Sequence, residues 1–141
     1  MIDHCIVYVS SSVELLREVD LSTLLLQSRQ DNALAGITGV LLCLNGRIIQ
    51  VLEGNQEAIE ALYNRIKQDR RHTNVTTMFS HPIKQRLFAS WSMGYETLTA
   101  RQLEEITVVV NLDNEQETVF KAAGATILTM VKAFYESNRT H

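Results

Sequence analysis

One polar residue interrupts an otherwise apolar segment of the chain. Gln50 lies within residues 48–52, flanked by Ile49 and Val51. Its primary amide has donors and an acceptor to satisfy when buried, and leaving them unpaired costs roughly 1–3 kcal/mol per group. Tyr8, in an earlier apolar segment, is a candidate partner, because a buried phenol needs one too. A structural Tyr8–Gln50 hydrogen bond would satisfy both groups, and so would a polar wall of a ligand site.

Asn32 is a further candidate for the wall of a ligand site. Asparagine is common as a cap near a helix C-terminus, but its amide could equally face the edge of a ligand ring. A slot with apolar walls and a few amide and guanidinium groups suits a flat heteroaromatic ligand. The candidate apolar walls are Leu24, Leu25 and Ile66, and the candidate rim charges are Arg65 and Arg71.

The common catalytic motifs are missing from the sequence. It contains no dinucleotide-binding glycine motif, P-loop, nucleophile elbow, zinc-protease motif or EF-hand loop, and its four histidines lack metal-ligand spacing. Residues 36–39 (GITG) have the form of a nucleic-acid-clamping loop, but they precede an apolar strand. They therefore predict a tight helix-to-strand connection.

Apolar strand patterns and helical patterns alternate before residue 98 in the order β-α-β-β-α-β-β. This order predicts a ferredoxin-like α+β fold, with one antiparallel sheet and both helices on one face. Its first and third strands lie side by side, so Tyr8 and Gln50 can meet. Asn45-Gly46 predicts the hairpin between the second and third strands. The predicted strands are 5–10, 40–44, 47–53, 75–79 (ended by His81-Pro82) and 91–95. The first predicted helix runs from an N-cap at Asp20 to residues 31–32, and the second begins after a cap at Gly54-Asn55.

Two further helices are predicted after this sheet. Thr99 and Gln102 have capping-box spacing and open a helix to about Val110. A polar break over 111–114 separates it from a helix over 115–136. We expect one domain over 1–98 and a helical extension over 99–141 in the same structural unit. The extension would pack on the far face of the sheet or mediate self-association.

Composition limits the classes of protein that are compatible with the chain. Its 141 residues are 45% hydrophobic, with a net charge of −3. That is enough for one domain, and it gives no basic field for nucleic acid and no membrane-spanning run. Cys5 and Cys43 lie in apolar runs and are interpreted as buried thiols of a cytoplasmic protein.

The motifs together resemble the BLUF family, the sensors of blue light using FAD. The likeness extends from about Cys5 to Thr97, in family-like order and spacing. The segments that carry it are 6–10 (IVYVS), Asn32 with 36–41 (GITGVL), 50–54 (QVLEG), 69–72 (DRRH) and 91–93 (WSM).

This resemblance implies a noncovalent flavin between the two helices, FAD or alternatively FMN. Asn32 would bind the polar edge of the ring, Arg71 its C2 carbonyl side, and Arg65 the ribityl or phosphate region. Asp31 departs from the Asn, His or basic residue often found there, and Arg29 would neutralise it. The full set of implied flavin-binding residues is Leu24, Leu25, Ser28, Asn32, Gln50, Arg65, Ile66 and Arg71.

The resemblance also implies a light-driven switch without enzymatic turnover. Light would drive transient electron and proton transfer from Tyr8, and Gln50 would then change its hydrogen bonds and red-shift the flavin absorption. Trp91 and Met93 are two residues apart, which predicts one shared strand face and a role in signal output. The two are left unranked as neighbours of Gln50.

The expected output passes to a separate signalling protein, because the 40 or so residues after Thr99 are too few for a cyclase or phosphodiesterase domain. A homodimer or higher homo-oligomer is expected. The alternative is a flavin-free ferredoxin-like interaction module, in which Tyr8 and Gln50 simply pair in the core. An acylphosphatase-like hydrolase is disfavoured because residues 10–13 lack the arginine it would need.

Overall fold

A computed structural model describes residues 2–11, 18–44, 46–69, 73–89, 91–113 and 128–138, and for 18–24, 73 and 107–113 it describes the backbone alone. Strands and helices alternate in the predicted order, followed by two further helices. The elements are β1 (Asp3–Ser11), α1 (Glu18–Ala35), β2 (Thr38–Leu44), β3 (Arg47–Gly54), α2 (Gln56–Gln68), β4 (Thr73–Ile83), β5 (Gly94–Thr97), α3 (Ala100–Asp113) and α4 (128–138).

The five strands form one sheet in the order β4-β1-β3-β2-β5. The α+β class and the central β1–β3 pair are as predicted. The expectation of an entirely antiparallel sheet is wrong, since β5 runs parallel to β2. The reason is the connection after Ile83, which carries the chain from one edge of the sheet to the other before β5 begins.

Side chains alternate between the two faces of the sheet, and each face has its own core. On the α1/α2 face, Tyr8 and Leu41 pack with Leu25, Ile59 and Tyr63 of the two helices. The α3/α4 face is built from the intervening strand residues. Its core includes Val7, Val51, Phe88, Ile106, Val131 and Tyr135.

The connection from α1 to β2 explains why Asn32 is not a cap. Gly36 has φ +70°, its N–H bonds the Ala33 carbonyl at 3.4 Å, and the N–H of Ile37 bonds the Asn32 carbonyl at 2.8 Å. This is a Schellman motif with glycine at the left-handed position. It confirms the predicted tight connection. It also corrects the capping hypothesis, because the helix continues to Ala35 and leaves the Asn32 amide for other partners.

The predicted caps of the later helices are confirmed. Asn55 Oδ1 accepts the N–H groups of Glu57 and Ala58 at 3.0 and 3.3 Å. Thr99 and Gln102 bond reciprocally, with the Thr99 N–H donating to Gln102 Oε1 at 3.0 Å and the Gln102 N–H donating to Thr99 Oγ1 at 3.1 Å. Both helices therefore begin where the sequence indicates.

Several boundaries differ from prediction. Asp20 is no N-cap, since it lies inside α1, which begins at Glu18. β4 continues through His81 and Pro82, because an edge strand tolerates a residue without an N–H. α3 extends to Asp113, past the predicted break, since local propensity sets helix ends only loosely. Residues 114–127 of the last predicted helix lie outside the described residues.

Candidate functional site

Tyr8 and Gln50 meet in the middle of the sheet. The antiparallel register of β1 and β3 places them directly opposite each other, and the Tyr8 hydroxyl donates to Gln50 Oε1. Tyr8 is fully buried and Gln50 is buried. Burial raises the pKa of the Tyr8 phenol, with smaller contributions from Tyr63 and the Asp69 carboxylate. The phenol therefore keeps its proton and acts as the donor in this bond.

The other end of the Gln50 amide is held weakly. Its Nε2 donates to Met93 Sδ at 3.3 Å. A thioether sulfur is a weak acceptor, whereas an amide oxygen is a good one. Rotation of the amide would therefore break only a weak contact at the nitrogen. It would also turn the donor Nε2 toward the Tyr8 hydroxyl in place of the acceptor Oε1. Met93 is the output candidate that contacts Gln50.

Trp91 and Met93 do not share a strand face. Both precede β5, which begins at Gly94, so the predicted strand over 91–95 is displaced. Met93 lies in the core of the α1/α2 face, while Trp91 packs on the α3/α4 face. The centroid of the Trp91 ring lies 5.0 Å from that of the Tyr135 ring and 6.4 Å from that of the Phe88 ring. The segment before β5 thus contacts both cores within three residues.

Side chains and one backbone amide near the cavity hold this segment through its carbonyl groups. Asn32 Nδ2 donates to the Ser92 carbonyl at 2.8 Å, and Arg29 Nε donates to the Met93 carbonyl at 2.9 Å. The Gly39 N–H donates to the Trp91 carbonyl at 2.9 Å. The Arg29 guanidinium therefore helps to position the residue that contacts Gln50, while its neutralisation of Asp31 stays a prediction.

Glu53 holds the chain a few residues earlier, at Leu87 and Phe88. The side chain is fully buried, and its carboxylate accepts from Thr38 Oγ1 at 3.0 Å and from the N–H groups of Leu87 and Phe88 at 2.7 and 3.0 Å. Sequence reasoning gave Glu53 no role. The signal was the one that singled out Gln50, a polar residue in an apolar strand, because a buried carboxylate requires several donors.

A cavity of about 220 Å³ lies between α1 and α2 beside Gln50. Its lining combines apolar side chains with the three amides of Gln27, Asn32 and Gln50, a composition that fits a flat heteroaromatic ring. Arg71 and the side chain of Leu24 lie outside the described residues. The predicted residues on its wall are Leu25, Ser28, Asn32, Gln50, Arg65 and Ile66. The lining residues that were not predicted to bind the ligand are Gln27, Asp31, Leu41, Leu62, Asp69 and Met93.

Residues 4–94 match the family described as BLUF, sensors of blue-light using FAD, so the chain belongs to the BLUF family and is a flavin-binding blue-light photosensor. Among its curated relatives, photoactivated adenylate cyclase subunit beta of Euglena gracilis is 40% identical over 91 residues, covering 64% of this chain and 11% of that protein. The chain thus spans about a tenth of the length of the first curated relatives it matches.

Two solved structures resemble nearly the whole chain. The dark state of the BLUF protein BlrB has a TM-score of 0.71 and 25% identity, covering 94% of this chain and 96% of that one. The photo-activated state of BlsA has a TM-score of 0.69 and 28% identity, covering 96% and 94% of the two chains. The α+β architecture is therefore that of BLUF proteins.

Other chemistry is limited within the described ranges. None of their helices is long and apolar enough to cross a membrane. The same ranges hold no group of three or more His, Cys, Asp or Glu side chains placed to bind a metal ion. Cys5 and Cys43 are buried free thiols, as predicted, and burial raises the pKa of Cys5 to about 12. A thiol that stays protonated is a poor nucleophile.

Proposed function

We propose that the receptor works through a reversible exchange of hydrogen bonds between Tyr8 and Gln50. The observation that carries this proposal is the bond from the Tyr8 hydroxyl to Gln50 Oε1 on the wall of the cavity. One buried group can give up an electron and a proton. The other can accept at one end of its amide and donate at the other.

The lining residues fit a flavin. Leu25 and Ile66 supply apolar contacts from the two helices. Because Asn32 Nδ2 is bound to Ser92, its Oδ1 is left to accept from a ring N–H. Arg65 would lie toward the ribityl or phosphate side, and Leu24 and Arg71 would complete the set. When bound, the flavin supplies blue-light absorption and an excited state that takes up an electron.

The steps on the protein side begin at Tyr8. Loss of an electron makes its phenol strongly acidic, and the proton moves along the existing bond to Gln50 Oε1. The Gln50 amide then reorganises, giving up its weak contact with Met93 and changing what it offers to the cavity. In the dark the electron and proton return to Tyr8, so the cycle leaves no net product.

We further propose FAD as the preferred flavin, with FMN also accepted. Arg65 on the cavity wall supports binding of a phosphate group. The carboxylates of Asp31 and Asp69 on the same wall repel a phosphate and offset part of that attraction. Release of the bound flavin by denaturation, followed by chromatography, would identify it. Recovery of riboflavin alone would contradict a phosphate-binding role for Arg65.

The proposed output passes through the segment that carries Met93 and Trp91. Met93 contacts Gln50, and Trp91 contacts Tyr135 of α4, so a change at Gln50 has a physical route to the far face. We propose that a homodimer presents this face to a separate signalling protein in the cytoplasm, and that this chain catalyses no reaction of its own. Met93→Ala should alter partner binding or the photocycle, and a variant unchanged in both would remove Met93 from the route.

The decisive experiment compares absorption spectra in the dark and just after blue light. The wild-type protein should show a flavin spectrum that shifts to the red and recovers in darkness. Tyr8→Phe and Gln50→Ala should retain flavin and lose the shift. A normal photocycle in either variant would refute the mechanism, and a protein that stays colourless with added FAD would favour the flavin-free module.

A further inference from the structure

A second tyrosine lies against the proposed electron donor. Tyr63, on α2, packs beside Tyr8 with ring centroids 5.2 Å apart and an interplanar angle of 35°. Tyr63 is only 6% exposed. Two aromatic rings in van der Waals contact can exchange an electron readily, so an oxidised Tyr8 has a competing donor beside it.

The two phenols differ in the group that can take their proton. The Tyr8 hydroxyl donates to an amide oxygen, while the Tyr63 hydroxyl is hydrogen-bonded to Thr77 Oγ1. An amide oxygen is the stronger base of the two. Since loss of the proton stabilises an oxidised phenol, this difference favours oxidation at Tyr8 over Tyr63.

The charges near the two tyrosines also favour oxidation at Tyr8 over Tyr63. Lys67, one helical turn after Tyr63, places its Nζ 4.4 Å from the centroid of the Tyr63 ring. A cation over an aromatic face is attracted to its electrons, so removing an electron from that ring becomes harder. Asp69 is instead close enough to Tyr8 to raise the pKa of its phenol, and a negative charge there favours a positive charge on Tyr8.

We propose that Lys67 keeps Tyr63 reduced, so that the oxidised site stays on Tyr8 long enough for Gln50 to reorganise. The inference rests on the proposed function, in which Tyr8 is the donor. Without Lys67, an electron would pass from Tyr63 to Tyr8, and Tyr8 would recover its electron and its proton. Tyr63 would then be oxidised and release its proton toward Thr77 and solvent, and Gln50 would return unchanged.

The test compares Lys67→Met with three other variants. A cation–π contact at an exposed site is worth about 0.5–1 kcal/mol, so removing the charge should lower the yield of the red-shifted state per absorbed photon by about two- to fivefold. Lys67→Met with Tyr63→Phe should restore the yield, because phenylalanine cannot supply the electron. Lys67→Arg keeps the charge and should retain the yield. Lys84→Met removes an exposed lysine elsewhere and should leave it unchanged.

A second readout uses the flavin-free protein. In a Tyr8→Phe background, flash oxidation by a soluble ruthenium complex should give a larger tyrosyl radical signal at position 63 after Lys67→Met, by the same factor. Subtracting the spectrum of the matching Tyr63→Phe variant assigns that signal. An equal signal with and without Lys67 would show that the charge does not protect Tyr63.

The outcomes separate this inference from the proposed function. A wild-type photocycle together with an undiminished yield in Lys67→Met overturns the inference alone. A reduced yield that Tyr63→Phe fails to restore also overturns it, because Tyr63 would then not be the competing donor. A wild-type protein that binds flavin without a red shift overturns the proposed function, and the inference with it.

Discussion

Alanine at position 94 is expected to disturb the contact between β5 and α4. A Cβ atom on Gly94 would lie 2.6 Å from Cζ and 2.9 Å from Cε2 of Tyr135, and closer still to its hydroxyl. Carbon atoms prefer separations of about 3.5–4.0 Å. The Tyr135 ring is 4% exposed and packs edge-on against Trp91, so it has little room to move aside.

The cost follows from this overpacking. Extra volume in a well-packed core typically costs about 1–3 kcal/mol. For a chain of 141 residues, each kcal/mol lowers the midpoint temperature of unfolding by about 2–4 °C. Tyr135→Ala removes the obstacle and costs about 3–5 kcal/mol by itself, by analogy with other large buried aromatics. Adding Gly94→Ala to that variant should then cost almost nothing, giving a coupling of about 1–3 kcal/mol.

This coupling can be measured by urea denaturation, monitored by far-UV circular dichroism. The proteins compared are the wild type, both single variants and the double variant. The reasoning is refuted if Gly94→Ala costs the same with and without the Tyr135 side chain. Equal costs would mean that the strain arises in the strand backbone and that α4 does not pack against Gly94 in solution.

Predictions at Gly39, Gly36 and His4 can be tested by the same urea denaturation. Gly39→Ala should cost more than about 3 kcal/mol, because its Cβ would lie 3.0 Å from the carbonyl carbon of Val51 and nearer to the oxygen, inside the β2–β3 pair. Gly36→Ala meets no atom within 4 Å and should cost only about 1–2 kcal/mol for its left-handed backbone; equal urea midpoints for the two variants would contradict this. Burial lowers the pKa of His4 below 6.5, so the unfolded chain binds the proton first, and stability should fall as pH decreases from about 7 through the folded pKa. His4→Gln should remove that part of the pH dependence, and an unchanged slope would exclude His4 as its source.

The order of strands and helices along the chain was predictable because its signals are local. Apolar strand patterns, Asn45-Gly46 and the caps at Asn55 and Thr99 each act over a few residues. The path before β5 was not predictable. It depends on Asn32 and Glu53, which bind backbone groups 60 and 34–35 positions away. Nothing in residues 91–95 alone shows that these bonds displace the strand.

The Tyr8–Gln50 pair was predictable because Gln50 conflicts with its local pattern. Gln50 has no apolar explanation, so a partner had to exist, and the central strand pair identified Tyr8. Met93 and Tyr63 match the pattern of ordinary core residues, and their positions beside Gln50 and Tyr8 appear only in three dimensions. Glu53 conflicted with its surroundings as Gln50 did, and the same argument applied to it would have predicted a buried network.

Both ends of the strand order are poor templates for an additional strand, which bears on aggregation. β4 carries Pro82, which has no N–H to offer, and its pairing with β1 shifts register at two points. β5 is only four residues long. Short, irregular or proline-containing edges discourage sheets from joining edge to edge. Addition of a strand from a second copy of the chain is therefore disfavoured at either end of this sheet.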